Sequence, residues 1–173
     1  MDNIEMKPAT FQRKISSNIM KDKILITQLG KGGYKDTIYV YPDNNGSKKT
    51  GYAFDAVVDK ENPNKLLLIG TSGSGWSGVL DWYSLGLSNE RRMQADKIRK
   101  KLSENEPFTD WQSIERFIKE AGNFEIVKIA IVEPGSTQEQ LEEYPEILLN
   151  AFKDIVDEKR NTKIIFDISN GFR

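Results

Sequence analysis

Four short runs dominated by apolar residues constrain this chain more than any other feature: KILITQLG at 23–30, KLLLIG at 65–70, FEIVKIAIV at 124–132 and the opening half of KIIFDISNGFR at 163–173. A strand with one wet face alternates apolar and polar residues, whereas a strand apolar throughout has to be covered on both faces. Covered strands of this kind belong to parallel sheets, whose crossovers need a dozen or more residues, usually a helix. The intervening segments supply helices. Residues 88–103, SNERRMQADKIRKKLS, place Met93, Ala95, Ile98 and Leu102 in a thin apolar stripe behind Ser88 as a possible N-cap. Residues 109–122 put Trp111, Ile114, Phe117, Ile118 and Ala121 on one face, with Gly122 as the stop. Residues 136–159 begin with Thr137 and Gln140 in capping-box spacing, and Pro145 either delays the start or kinks the helix. The predicted fold class is α/β: a Rossmann-like, mostly parallel sheet with helices on both faces.

Between the first two runs lies a hairpin signature. DTIYVYP (36–42) alternates, DNNGSKK (43–49) holds an Asn-Gly turn signal, and TGYAFDAVV (50–58) turns apolar again, as a second arm or as the start of a helix. The hairpin makes the expected sheet a mixed one. Residues 1–22 are polar and mixed and read as an N-terminal arm or short helix. Residues 23–173 read as one Rossmann-like domain, in keeping with a length of 173 residues.

Composition removes several chemistries. The chain has no cysteine and no histidine. Disulfides, thiolate nucleophiles, Cys-based metal sites and the usual neutral-pH acid–base group are therefore excluded, and no cofactor or metal site is expected. A net charge of −1 gives no global electrostatic case for duplex DNA or a membrane. MDNIEMKPATFQRK lacks the apolar core of a signal peptide, and no run has membrane-spanning length, so the expected location is the cytoplasm.

In sheets of this kind ligands sit beyond the carboxyl ends of the strands. The loops there are GKGGY (30–34), GTSGSGWSG (70–78), EPGST (133–137) and SNGFR (169–173), all rich in Gly, Ser, Thr or Asn. Small residues let backbone amides approach an anion closely. The second loop matches two phosphate motifs and fails both in context. Gly70 and Gly75 have P-loop spacing, but Trp76 stands where the P-loop lysine reaches the phosphates. Gly73, Gly75 and Gly78 spell the dinucleotide fingerprint, but no acid-bearing strand is visible near residue 98. Trp76 and Tyr34 are each either a base-stacking surface or a core anchor, and Trp82 reads as a core anchor. Lys31 and Arg173 are the loop cations, Arg173 suited to bidentate phosphate or carboxylate pairing.

Taken in order, LITQLGKGGY, YVYPDNNGSKKTGYAF, LLLIGTSGSGW and IIFDISNGFR resemble the CRISPR-associated Rossmann-fold (CARF) sensor domains of type III CRISPR accessory proteins over residues 23–173. The subfamily concerned ends its strands in LGTGxY, LGTxxSxW and DITHGFR-like motifs. Lys31, the extra Gly73 and Gly75, and Asn170 in place of a frequent His depart from that pattern. The resemblance implies a homodimer that binds cyclic oligoadenylate, most often cyclic tetra-adenylate, across its two-fold axis. By position, Gly30, Lys31, Gly32, Gly33, Tyr34, Thr71, Ser72, Gly73, Ser74 and Trp76 would bind the ligand together with Ser169, Asn170, Gly171 and Arg173. Relatives usually continue into an effector, often a HEPN ribonuclease whose site needs a His that this sequence lacks. An ending at Arg173 reads as a truncated form, an isolated sensor or half of a split effector, with the effector a separate domain or chain. The first reading is thus a sensor that does not catalyse. The second is a metal-independent ring nuclease using Lys31 or Arg173. The third is a scaffold that meets a protein through the basic 91–101 helix.

Overall fold

The computed structural model describes residues 22–32, 35–41, 46–104, 106–158 and 161–167. Four strands, β1 (Asp22–Leu29), β4 (Lys65–Gly70), β5 (Ile126–Ile131) and β6 (Thr162–Asp167), form one sheet in the order β5-β4-β1-β6. Every pairing in it is parallel. The strands β2 (Thr37–Val40) and β3 (Ser47–Thr50) form a separate antiparallel pair, so the hairpin does not make the main sheet mixed.

Of the two readings of residues 50–58, a second arm or the start of a helix, the structure takes the helix. The polar SKKT segment is β3, and the apolar run after it is helix α1 (Ala53–Glu61). A two-stranded hairpin on the surface needs no apolar arm. Phe54 and Val58, four apart, put one helical face into the core instead.

Strand register sorts the core into two layers. Leu25 pairs with Leu66 and Leu66 with Val127, and these side chains share one face. They pack with α1, α2 (Trp76–Ser84), α3 (Asn89–Leu102) and α4 (Trp111–Gly122). Ile24, Ile26, Leu67 and Ala130 fill the other face with α5 (Gln138–Lys153). Among the described residues helices therefore cover both faces, four on one and one on the other. Ile164 and Phe166, in register with Ile24 and Ile26, share the α5 face and are exposed on the edge strand β6.

Local signals at the helix ends hold in part. Thr137 Oγ1 accepts from Gln140 N–H at 3.3 Å, while Gln140 Oε1 accepts from Ser136 N–H at 2.8 Å, one residue before the N-cap, so half of the expected capping box forms and the return bond is shifted by one residue. Pro145 lies inside α5 without delaying its start. Ser88 occupies the N-cap of α3 without a side-chain capping bond. After α4 the left-handed residue is Asn123 (φ 54°), one past the glycine expected to stop it.

The strand order places the topological switch between β1 and β6. From β1 the chain moves outward through β4 to β5, then returns to the far side of β1 as β6. The crevice beyond the carboxyl ends of these strands is where such sheets bind ligands.

Candidate functional site

At the carboxyl end of β1 the chain turns through Gly30, Lys31 and Gly32, and Gly32 has φ +105°, a conformation that favours glycine. At the carboxyl end of the neighbouring β4 comes the loop 71–75. One hydrogen bond ties the two turns directly: Gly75 N–H donates to the Gly30 carbonyl at 2.8 Å.

Ser74 completes the brace. Its hydroxyl donates to the Leu29 carbonyl at 2.7 Å and accepts from Thr71 N–H at 3.0 Å, while Ser74 N–H donates to the Thr71 carbonyl at 3.0 Å. The Ser74 hydroxyl is thus spent on holding two strand ends together. Thr71 is half-buried, and Ser72 and Gly73 are exposed at the loop crest.

Trp76 is buried, at 1% exposure, and is corrected from stacking surface to anchor. Its indole N–H donates to the Thr71 carbonyl at 2.8 Å, and its ring packs 5.3 Å from that of Trp111. A Cβ on Gly70 would come within 2.7 Å of Trp76 Cζ2, so the strand ends in glycine because the indole crosses it. Trp82 packs against the core as expected and, being half-buried, also lines a cavity.

That cavity has a volume of about 420 Å³. Tyr52 and Trp82 supply its aromatic surface, Gly32 and Gly75 its nearest backbone, and Lys31 and Asp36 its charges. The two rings lie 6.1 Å apart and tilted by 57°. Gly78, on the first turn of α2, packs so closely on Tyr52 that a side chain there would strike the phenol oxygen. Asp36 also pairs loosely with Lys49 at 3.8 Å, both being exposed.

The hairpin that carries this wall is fixed to α1. Tyr41 Oη donates to Asp59 Oδ2 at 2.5 Å, and Lys48 Nζ lies 3.1 Å from Asp55 and 3.6 Å from Asp59. Burial first, then the accepting Asp59 carboxylate, pushes the Tyr41 phenol above its ordinary range.

On β1 and β6, Thr27 Oγ1 donates to Asp167 Oδ2 at 2.8 Å, both residues being buried. Asp167 belongs to the DISNGFR segment, whose remaining site residues Ser169, Asn170, Gly171 and Arg173 lie outside the described residues, as do Gly33 and Tyr34. The basic helix α3 is partly neutralised. Arg99 pairs with Asp81 and Asp96, and Lys101 lies 3.3 Å from Asp110.

The structure therefore brings together Gly30, Lys31 and Gly32 with Thr71, Ser72, Gly73 and Ser74, and withdraws the Trp76 ring from the surface. Sequence reasoning missed Asp36, Gly51, Tyr52 and Gly78, because only the packing of Tyr52, between the hairpin and α1, against α2 makes them neighbours. Among the described residues no group of three or more His, Cys, Asp or Glu is arranged to hold a metal ion, and no helix is long and apolar enough to cross a membrane.

Over residues 24–173 the chain matches the family described as CRISPR system endoribonuclease Csx1, CARF domain. It belongs to the CARF domains of that family. Comparison with curated proteins gives no match. Membership places the CARF domain among the type III CRISPR accessory proteins and implies a cyclic oligoadenylate-sensing role in that defence. The two braced turns of this CARF domain leave Lys31, Gly32, Ser72 and Gly73 exposed beyond the strand ends.

Proposed function

We propose that this CARF domain works as a homodimer in the cytoplasm and binds one ring of cyclic oligoadenylate, cyclic tetra-adenylate, across its two-fold axis. The observation that carries the reading is the tie between the turns 30–32 and 71–75 at the carboxyl ends of β1 and β4, next to the switch between β1 and β6. It holds two amide-rich loops to each other through the chain's own hydrogen bonds, which lowers the ordering cost of binding. A two-fold dimer presents the same edge twice, which matches a ligand of repeating phosphates and bases. Ser169, Asn170, Gly171 and Arg173 would complete the phosphate and ribose contacts, with Gly33 and Tyr34 beside them. The signal passes to an effector on a separate domain or chain.

A second reading is favoured by the exposed Lys31 ammonium on the rim. In a slow ring nuclease, a ribose 2′-oxygen would attack its own 3′-phosphate, forming a 2′,3′-cyclic phosphate as the 5′-oxygen of the next nucleotide leaves with a proton. Lys31 or Arg173 would stabilise the charge that develops. Incubating the protein with cyclic tetra-adenylate and separating the products by chromatography distinguishes the two. The sensor reading expects binding with the ring intact after long incubation. Linear products that disappear in Lys31→Ala would establish the nuclease instead.

A further inference from the structure

The edge strand β6 is covered on one face and bare on the other. Ile165 packs against the core layer beneath α1, α2, α3 and α4. On the α5 face, Phe166 is 67% exposed and Ile164 41%, with no cover among the described residues. The cause is width. Strands spaced about 4.8 Å apart put the outer two of a four-stranded sheet roughly 14 Å apart, while a helix with its side chains is about 10 Å across, so one helix cannot cover both edges.

The single helix of this face lies towards β5. Asp154, at the end of α5, pairs at 3.1 Å with Lys128, which is in register with Leu67 and so projects on the same face. Leu149 stands five residues before Asp154, about 140° round the helix, on the flank turned away from β5, and is exposed. Leu149, Ile164 and Phe166 thus border an apolar groove between α5 and β6, where the sheet has width for a second helix.

We propose that residues 8–20 of the same chain, which precede the described residues, dock in this groove as an amphipathic helix. Connection is the first argument. β1 begins at Asp22, in register with Thr162 at the start of β6, so the segment before Asp22 enters the sheet at one end of the groove. A helix over 8–20 spans about 20 Å, close to the roughly 20 Å of a six-residue strand such as β6.

Pattern is the second argument. Phe11, Ile15 and Ile19 recur every four residues, which makes one apolar stripe in a helix, and Pro8 suits the first helical position. Running back along β1, such a helix rises about 1.5 Å per residue against about 3.3 Å along the strand, so Ile15 comes level with Ile164 and Phe11 with Phe166.

Charge is the third argument. From Lys7 to Lys21 the sequence carries Arg13 and Lys14 and no acidic residue. The α5 rim has the opposite sign. Glu142 and Glu146, seven and three residues before Leu149, share its flank and are exposed, and Glu142 also accepts from Gln138 at 2.8 Å. Docking would cover the strand that ends in Asp167 and so back the Thr27–Asp167 bond at the switch point. The proposal is independent of the ligand reading.

The chain has no cysteine, so a cross-linking test needs no background substitution. In the full chain, Ile15→Cys with Ile164→Cys is expected to be joined within one chain by a short bis-maleimide. The rate should exceed by about tenfold or more that of Ser17→Cys with Ile164→Cys, because residue 17 lies on the far side of the helix. Equal rates for the two pairs, or no cross-link in the first, overturn the proposal. A cross-link that joins two chains also overturns it, since the groove then belongs to a second copy. A second measurement does not depend on the cysteine variants folding. Phe11→Asp with Ile15→Asp is expected to raise the binding of an apolar fluorescent dye by exposing the groove, and adding Phe166→Ser to lower it again. Dye binding equal to wild type, or a rise that Phe166→Ser leaves in place, overturns the proposal.

Discussion

Asp22→Ala is expected to lower the stability of the fold by about 3–5 kcal/mol, the cost of leaving one member of a buried ion pair alone. Asp22 Oδ2 accepts from Lys65 Nζ at 2.6 Å, with side-chain exposures of 0% and 4%. The ammonium has one further acceptor among these contacts, the Ile155 carbonyl at 3.0 Å, and Asn64 donates to the other Asp22 oxygen at 3.3 Å. Without the carboxylate a dry ammonium keeps a single neutral partner. The pair sits at the amino ends of β1 and β4 and reaches the chain just after α5, so it joins the two central strands to the segment that follows this helix. For a domain of this size the loss corresponds to roughly 6–20 °C in melting temperature. Asp22→Leu combined with Lys65→Met should recover most of it, because an apolar pair of similar volume removes the uncompensated charge. A melting temperature for Asp22→Ala within about 2 °C of wild type would show that Lys65 finds another partner or water.

Trp76→Ala is expected to cost a comparable amount, about 3–5 kcal/mol for a large buried aromatic, and to abolish ligand binding as well. The indole fills space over Gly70 and against Trp111, and its N–H holds the Thr71 carbonyl. Removing it opens a cavity beneath the loop and releases the bond that sets the loop's path. Trp76→Phe separates the two effects, since much of the packing stays while the N–H is lost. Urea unfolding and ligand titration of both variants read them independently. If Trp76→Ala binds the ring as wild type does, the loop is held by Ser74 and Gly75 alone and the indole is only core.

The parallel sheet was legible because burial on both faces forces long apolar runs, and KLLLIG coincides with β4 residue for residue. The helix α2 was not. Gly73, Ser74, Gly75 and Gly78 crowd its start and read as loop, and only the burial of Trp76, Val79 and Leu80 sustains it. Intrinsic propensity was overridden by packing. The polar strand β3 was hidden for the converse reason, being a surface arm with little to bury. At the site, the Gly- and Ser-rich turns could be found from their place after strands. The inward turn of Trp76 could not, because Gly70 and Trp111, the neighbours that hold its ring, meet it only in the fold. The lateral cavity joins residues 30 apart, Tyr52 and Trp82, that no local pattern connects.

The central claim is that two copies of this CARF domain enclose one cyclic oligoadenylate ring. Isothermal calorimetry with rings of three, four and six adenylates tests it most directly. The account expects heat of binding with the tetra-adenylate ring at a stoichiometry of one ring per two chains. No heat with any ring, or saturation at one ring per chain, would contradict it.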